Sequence, residues 1–240
     1  MRRLAPALLL LLAHPAAAEL QVSLHGGLSA TPASDVEAWQ KDRLSITLHG
    51  VEWKSEPLKG PPYWGARVVY WKDWMPASGF GLDFVHTKLI AHDGQRVWAT
   101  GDRGGNTPVR GFETVGDTVR GLSLSDGLNF LMLNLYERWR TGEAWRPHLG
   151  LGAGILLPHV EGRIGSAAGD GYHYGGLALQ ALAGFELTLS GPVSLFAEYK
   201  LHHAWLKVPY GPDANLSSRL WTHQLALGLS AAIETGWRQP

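Results

Sequence analysis

The sequence predicts an all-β protein, an eight-stranded antiparallel up-and-down transmembrane β-barrel with four long extracellular loops. Three observations carry this. Eight segments alternate strictly, with one face uniformly apolar and the other made of glycine, amides and isolated charges. The connections between them alternate short and long. Tryptophan and tyrosine cluster near the ends of the apolar segments, where a membrane meets water.

The first segment, 19–29, sets Leu20, Val22 and Leu24 against Gln21, Ser23 and His25. Next, 62–72 sets Trp64, Ala66, Val68 and Tyr70 against Gly65, Arg67 and Val69, and 79–91 sets Phe80, Leu82 and Phe84 against Gly81, Asp83 and Val85. In 126–139 Leu131, Leu133 and Leu135 face away from Met132, Asn134 and Tyr136. The stretch 146–158 is the most regular, with Leu149, Leu151, Ala153, Ile155 and Leu157 on one side and glycines filling the other. Its row spans about 26 Å of strand, roughly 20 Å in height at a tilt near 40°, which suits a hydrocarbon band. Segments 172–188, 192–206 and 219–233 repeat the pattern with Leu177 to Leu187, Val193 to Leu201 and Leu225 to Ala231. The turns 73–78, 140–145 and 189–191 are short, whereas 30–61, 92–125, 159–171 and 207–218 are long and carry Gly, Pro and Asp; within the first, 45–54 alternates as an extra hairpin arm. Tyr70, Trp71, Trp74, Trp139 and Trp145 fall by the short turns, and Trp64, Trp205 and Trp221 towards the long loops.

The chain opens MRRLAPALLLLLAHPAAAE, a basic start, an apolar run and a small-residue cleavage site. Residues 1–18 read as an export signal and 19–240 as one barrel domain. Cleavage leaves 19 basic against 21 acidic side chains, which gives no basic footprint for nucleic acid. The absence of cysteine excludes thiol and iron–sulfur chemistry. No later run is long enough for a transmembrane helix, a limit that does not apply to strands. The expected location is the bacterial outer membrane, as a monomer.

The apolar face is assigned to lipid and the mixed face to the lumen. An eight-stranded lumen is narrow enough to be filled by side chains, and buried charges must pair. Arg67, Asp83, Glu198 and Lys200 therefore read as an interior ion-pair network, together with Asn134, Arg138, Gln180, Glu186 and His202. Just past the apolar rows, the same parity places His86, Lys88, Asn129, His159 and Glu161 outward on three consecutive strands, at one height near the outer-leaflet headgroups. Either the strands have simply left the membrane there, or these residues form a site that acts on a glycolipid from the side. GLGAG at 150–154 is a strand's alternate glycines and not a dinucleotide loop; G-x-S-x-G is absent; His202 and His203, being adjacent, face opposite ways.

The stretches PPYWGARVVYW (61–71), GFGLDFVHTK (79–88), DGLNFLMLNLYERW (126–139), PHLGLGAGILLPHVE (147–161), LQALAGFELTL (179–189) and SLFAEYK (194–200) resemble the bacterial outer-membrane lipid A oxidases. The resemblance implies oxidation of the proximal glucosamine of 1-dephosphorylated lipid A to 2-aminogluconate, with molecular oxygen as acceptor and peroxide as by-product. Triplet oxygen reacts slowly with closed-shell sugars, so a redox-active divalent metal is a candidate cofactor, with His86, His159 and Glu161 as candidate ligands. His86, His159, Glu161 and Asn129 are the candidate catalytic residues, and Lys88 is the candidate contact to substrate phosphate. The alternatives are a non-catalytic structural or adhesion barrel and a lipid A hydrolase. The hydrolase lacks the His-x-Ser pair expected of outer-membrane deacylases.

Overall fold

The computed structural model describes residues 19–72, 74–104, 106–139 and 144–234. The expected signal segment 1–18 lies outside them. Eight strands form a closed antiparallel ring: β1 (Glu19–Ala30), β5 (Trp64–Trp71), β6 (Ser78–Ala91), β9 (Val119–Arg138), β10 (Trp145–Leu156), β13 (Gly176–Ser190), β14 (Val193–Pro209) and β15 (Ala214–Glu234). β15 returns to β1 in unbroken register from Leu20↔Ile233 to Ala30↔His223. Closure leaves none of the ring's strands with an unpaired edge, which a hydrocarbon environment requires.

The register fixes the tilt. From Leu229, successive partners are Leu24, Ala66, Phe84, Leu131, Ile155, Leu177 and Trp205, and the walk returns to β15 at Arg219. The return is staggered by ten residues, from 229 to 219. Ten residues of stagger over eight strands tilt each strand by roughly 40°. Each residue then rises about 2.5 Å, and each step to the next strand of the walk about 3 Å.

Outward positions are leucine-rich and uncovered: Leu24, Leu82, Leu133, Leu151, Leu177 and Leu227 are each at least half exposed. A continuous apolar belt of this size has no place in water, and it is the lipid-facing surface of a membrane-spanning barrel. Trp74, Trp139 and Trp145 stand exposed at the turn end and Trp64, Trp205 and Trp221 at the other. Trp71 departs from the expected girdle. It is buried in the lumen, donates from Nε1 to Gln21 Oε1 at 3.1 Å, and carries the Arg138 guanidinium 3.9 Å above its ring.

The lower lumen holds a polar layer. Arg67 pairs with Glu198 and lies over the rings of Phe196 and Tyr136. His148 Nε2 is 2.8 Å from the same carboxylate. Lys200 Nζ donates to Asp83 Oδ2 at 2.5 Å and lies 3.8 Å from Glu198 Oε2. Arg138 grips Glu19 with two bonds of 2.9 Å, and Arg146 pairs with Glu186 at 3.3 Å. The inner glycines make room for these groups: a Cβ at Gly152 would fall 1.8 Å from Asn134 Oδ1, and one at Gly154 2.1 Å from the Leu131 carbonyl.

Above that layer the interior differs from the expected polar plug. Phe130, Met132, Leu156, Ala204, Leu206 and Leu220 turn inward and are buried in one apolar core. The core continues beyond the ring because three of the expected loops contain β-structure. β2 (Ser34–Gln40), β3 (Leu44–Val51), β7 (Arg96–Arg103) and β8 (Thr107–Thr114) add to β15 in that order, with a short β4 (Trp53–Lys54) beside β6 and a single-turn helix at Val115–Thr118. β11 (His159–Ile164) and β12 (Ala167–Tyr172) form a hairpin against the upper part of β9. Val36, Ile46, Leu48, Val97, Val160 and Ile164 close this dome over the barrel mouth.

Removing one member of a buried pair strands its partner. Lys200→Met is expected to destabilise the barrel by about 3–5 kcal/mol, whereas adding Asp83→Leu is expected to recover most of the loss. Urea unfolding in detergent micelles, followed by tryptophan fluorescence, checks both.

Candidate functional site

Two strand ends and one bulge build an outward-facing cluster just above the belt. β10 runs up to Leu156, and its parity continues through Pro158. Val160 is buried in the dome core, so His159 and Glu161 on either side of it turn outward. On the neighbouring strand the pairing of β6 with β9 shifts register between Thr87 and Leu89, and Gly127 takes a φ of 138°. A side chain at that φ would be strained, so glycine permits the bulge. The bulge brings Asp126 towards β11.

His159 Nδ1 then lies 3.7 Å from Glu161 Oε1 and 3.9 Å from Asp126 Oδ2. Both separations are too long for a hydrogen bond, and Nδ1 is buried with no partner. They match the spacing between ligands that share one cation at about 2.0–2.2 Å each. One imidazole and two carboxylates form a donor set for a borderline divalent ion, and their ligand atoms all lie within 4.8 Å of one another. The surroundings fix the geometry. Ser125 Oγ donates to Glu161 Oε2 at 3.1 Å, the Tyr172 ring meets the His159 ring edge-on at 4.9 Å, and Tyr172 donates to the Asp126 carbonyl at 3.1 Å. From the buried core, Tyr210 donates to the Glu161 carbonyl at 3.1 Å. Burial first, and then the Glu161 charge, push the Tyr210 phenol above its ordinary value, so it remains a donor.

The other three candidates stand elsewhere. His86 is buried; its Nδ1 lies 2.9 Å from Asn129 Oδ1, and its ring stacks near Trp64. Asn129 Nδ2 in turn donates to the Leu157 carbonyl at 2.9 Å. Lys88 is covered by the 55–63 segment, and its Nζ donates to the carbonyls of Lys59 at 3.0 Å and Gly60 at 2.8 Å. A shared height for all five residues ignores strand tilt. By the register, His86 lies about 11 Å lower than His159 as well as two strands away. The described residues therefore join Asp126, and not His86, to His159 and Glu161. Lys88 acts as a clasp on the covering segment and does not present an open phosphate contact. Asp126 escaped the sequence reading because it precedes a bulge that strict alternation cannot register; the Asp-Gly pair at 126–127 was the available signal.

Cobalt(II) titrated into the refolded chain is expected to bind at one site, read by visible absorbance. His159→Ala should weaken that binding by about 10- to 100-fold, while His86→Ala should leave it unchanged.

No protein-family profile matches the chain, and no curated protein matches it. Solved structures similar in fold include Neisserial surface protein A, at 11% identity over 89% of this chain and 96% of that one, with a TM-score of 0.43. The outer-membrane protein AlkL matches at 13% identity over 100% of both chains, with a TM-score of 0.45. OprG from Pseudomonas aeruginosa matches at 12% identity over 92% of this chain and 98% of that one, with a TM-score of 0.40. These are outer-membrane barrel proteins, the architecture that this chain's own register and belt describe.

Proposed function

We propose that this barrel oxidises the sugar of an outer-leaflet glycolipid at the Asp126–His159–Glu161 cluster. The substrate is the proximal glucosamine of 1-dephosphorylated lipid A, as the sequence resemblance implies. The observation that carries the reading is one of position. An imidazole nitrogen without a partner faces two carboxylates on the outer wall, immediately above the leucine rows of β9 and β10. The sugars of a membrane-anchored glycolipid lie at that level.

The free anomeric carbon of the substrate bears a hydroxyl and a hydrogen. Oxidation breaks the C1–H and O–H bonds and forms a C1=O bond, giving a lactone. Oxygen takes the two electrons and two protons and leaves as hydrogen peroxide. Water then opens the lactone to the 2-aminogluconate acid. Asp126 has the most exposed side chain of the three, at 55%, and is the group placed to accept the hydroxyl proton. Glu161, held by Ser125, and His159, wedged by Tyr172, keep their donor atoms fixed. A redox-active divalent ion held by these three side chains would give triplet oxygen a route to the sugar's electrons.

The test is mass spectrometry of lipid A from cells that lack the 1-phosphate, with and without this chain. The expected result is a gain of one oxygen atom, lost with His159→Ala and with Asp126→Asn by about 100-fold or more. Loss of an acyl chain would identify a hydrolase, and unchanged lipid A would identify a non-catalytic barrel. Either result overturns the reading.

A further inference from the structure

A second outward-facing feature lies two and three strands further round the ring from β10, on β14 and β15. Lys207 and Arg219 are both exposed, and among the described residues neither side chain has a hydrogen bond or ion pair. Trp205 pairs across the strands with Arg219, and Lys207 with Ser217, so the two cations are diagonal neighbours on one face. Directly below them is an aromatic shelf. The ring of His203 lies 4.3 Å from that of Trp221 and 4.5 Å from that of Trp205. The register gives the height. Arg219 is three ring steps above Ile155, Lys207 is two steps and two residues above it, and His159 is four residues above it. All three therefore fall within about 2 Å of one level. Unpaired cations on an aromatic shelf at headgroup level complement a lipid phosphate.

An independent feature lies on the same strands. The belt is not smooth there: Ala183 and Ala197 leave a groove of about 490 Å³ walled by Phe185, Tyr199, Leu225 and Leu227. Cross-strand pairs set large opposite small, Ala183 opposite Tyr199 and Phe185 opposite Ala197, so the two alanines are diagonal neighbours and the hollow crosses from β13 to β14 between the two rings. Leu225, in its wall, lies six residues below Arg219 on β15, about 15 Å in height. Tyr199 OH and His223 Nδ1, 2.6 Å apart, tie the stretch between them.

We propose that β13, β14 and β15 form a site for a phosphorylated outer-leaflet glycolipid of the lipid A class, with phosphate on Lys207 and Arg219 and an acyl chain in the Ala183–Ala197 groove. The site is separate from the Asp126–His159–Glu161 cluster and does not depend on its chemistry. Two cations at sugar height favour a glycolipid, whose phosphates are borne on a disaccharide, over a phospholipid with a single phosphate.

Native mass spectrometry of the refolded mature chain tests this with three probes: bisphosphorylated lipid A, the same lipid A stripped of phosphate, and phosphatidylglycerol. The expected result is retention of the first at least about tenfold above the other two. The double variant Lys207→Gln with Arg219→Gln should lose that margin, and Ala197→Trp should lower retention by filling the groove. Heat-dependent gel mobility confirms that each variant is folded. The double variant should still bind cobalt(II) like the parent, which separates this site from the Asp126–His159–Glu161 cluster. Equal retention of stripped lipid A, equal retention of phosphatidylglycerol, or unchanged retention by the folded double variant would each overturn the proposal.

Discussion

The pairing of β1 with β15 is the contact on which everything else rests. It joins the two ends of the described chain and turns an open sheet into a ring. In hydrocarbon an open edge would leave a row of unsatisfied N–H and C=O groups, each costing several kcal/mol. Its register also determines the stagger, and the stagger determines the tilt. Tilt decides which side chains share a height, and therefore which can form a site at the lipid surface. The location of chemistry on the wall follows from how the sheet closes.

Inside the ring, two solutions to the same space problem are stacked. Low in the barrel, charge is neutralised locally: two cations, Arg67 and Lys200, face two carboxylates, Glu198 and Asp83. Higher up the inner face becomes apolar and merges with the dome. The strands there are apolar on both faces, lipid outside and core inside. β6 shows the change along its length, from Asp83 inward in the polar layer to Val85 and Leu89 inward in the core.

Much of this was legible in the sequence, because period-2 alternation records which side of a strand meets which environment. The eight ring strands, the lipid face, the inward charges and the outward turn of His159 and Glu161 all follow from parity. What parity could not supply was height and curvature. His159 already stands two residues further along its strand than His86 in register, and the lean of the strands adds about 6 Å over the two steps between them. Asp126 was hidden by a bulge, and the cover over Lys88 comes from a segment with no alternation of its own. The strands of the dome are short and interrupted by glycine, proline and aspartate, which are the marks of loops. Their apolar residues, such as Val36 and Ile46, gain a partner only when distant segments stack on one another.

The dome gives the protein two kinds of cohesion. Within the bilayer, side chains exchange one apolar neighbour for another, and the ring holds through its backbone bonding. Above the bilayer, Val36, Leu48, Val97 and Ile164 are withdrawn from water itself, a driving force that weakens on cooling and carries a large heat-capacity change. The outer cap therefore behaves as a water-soluble domain would, consolidating after the wall beneath it has inserted and loosening in the cold while that wall stands. Because Val160 anchors the strand that bears His159 and Glu161, the order of the surface cluster is linked to the temperature response of the cap.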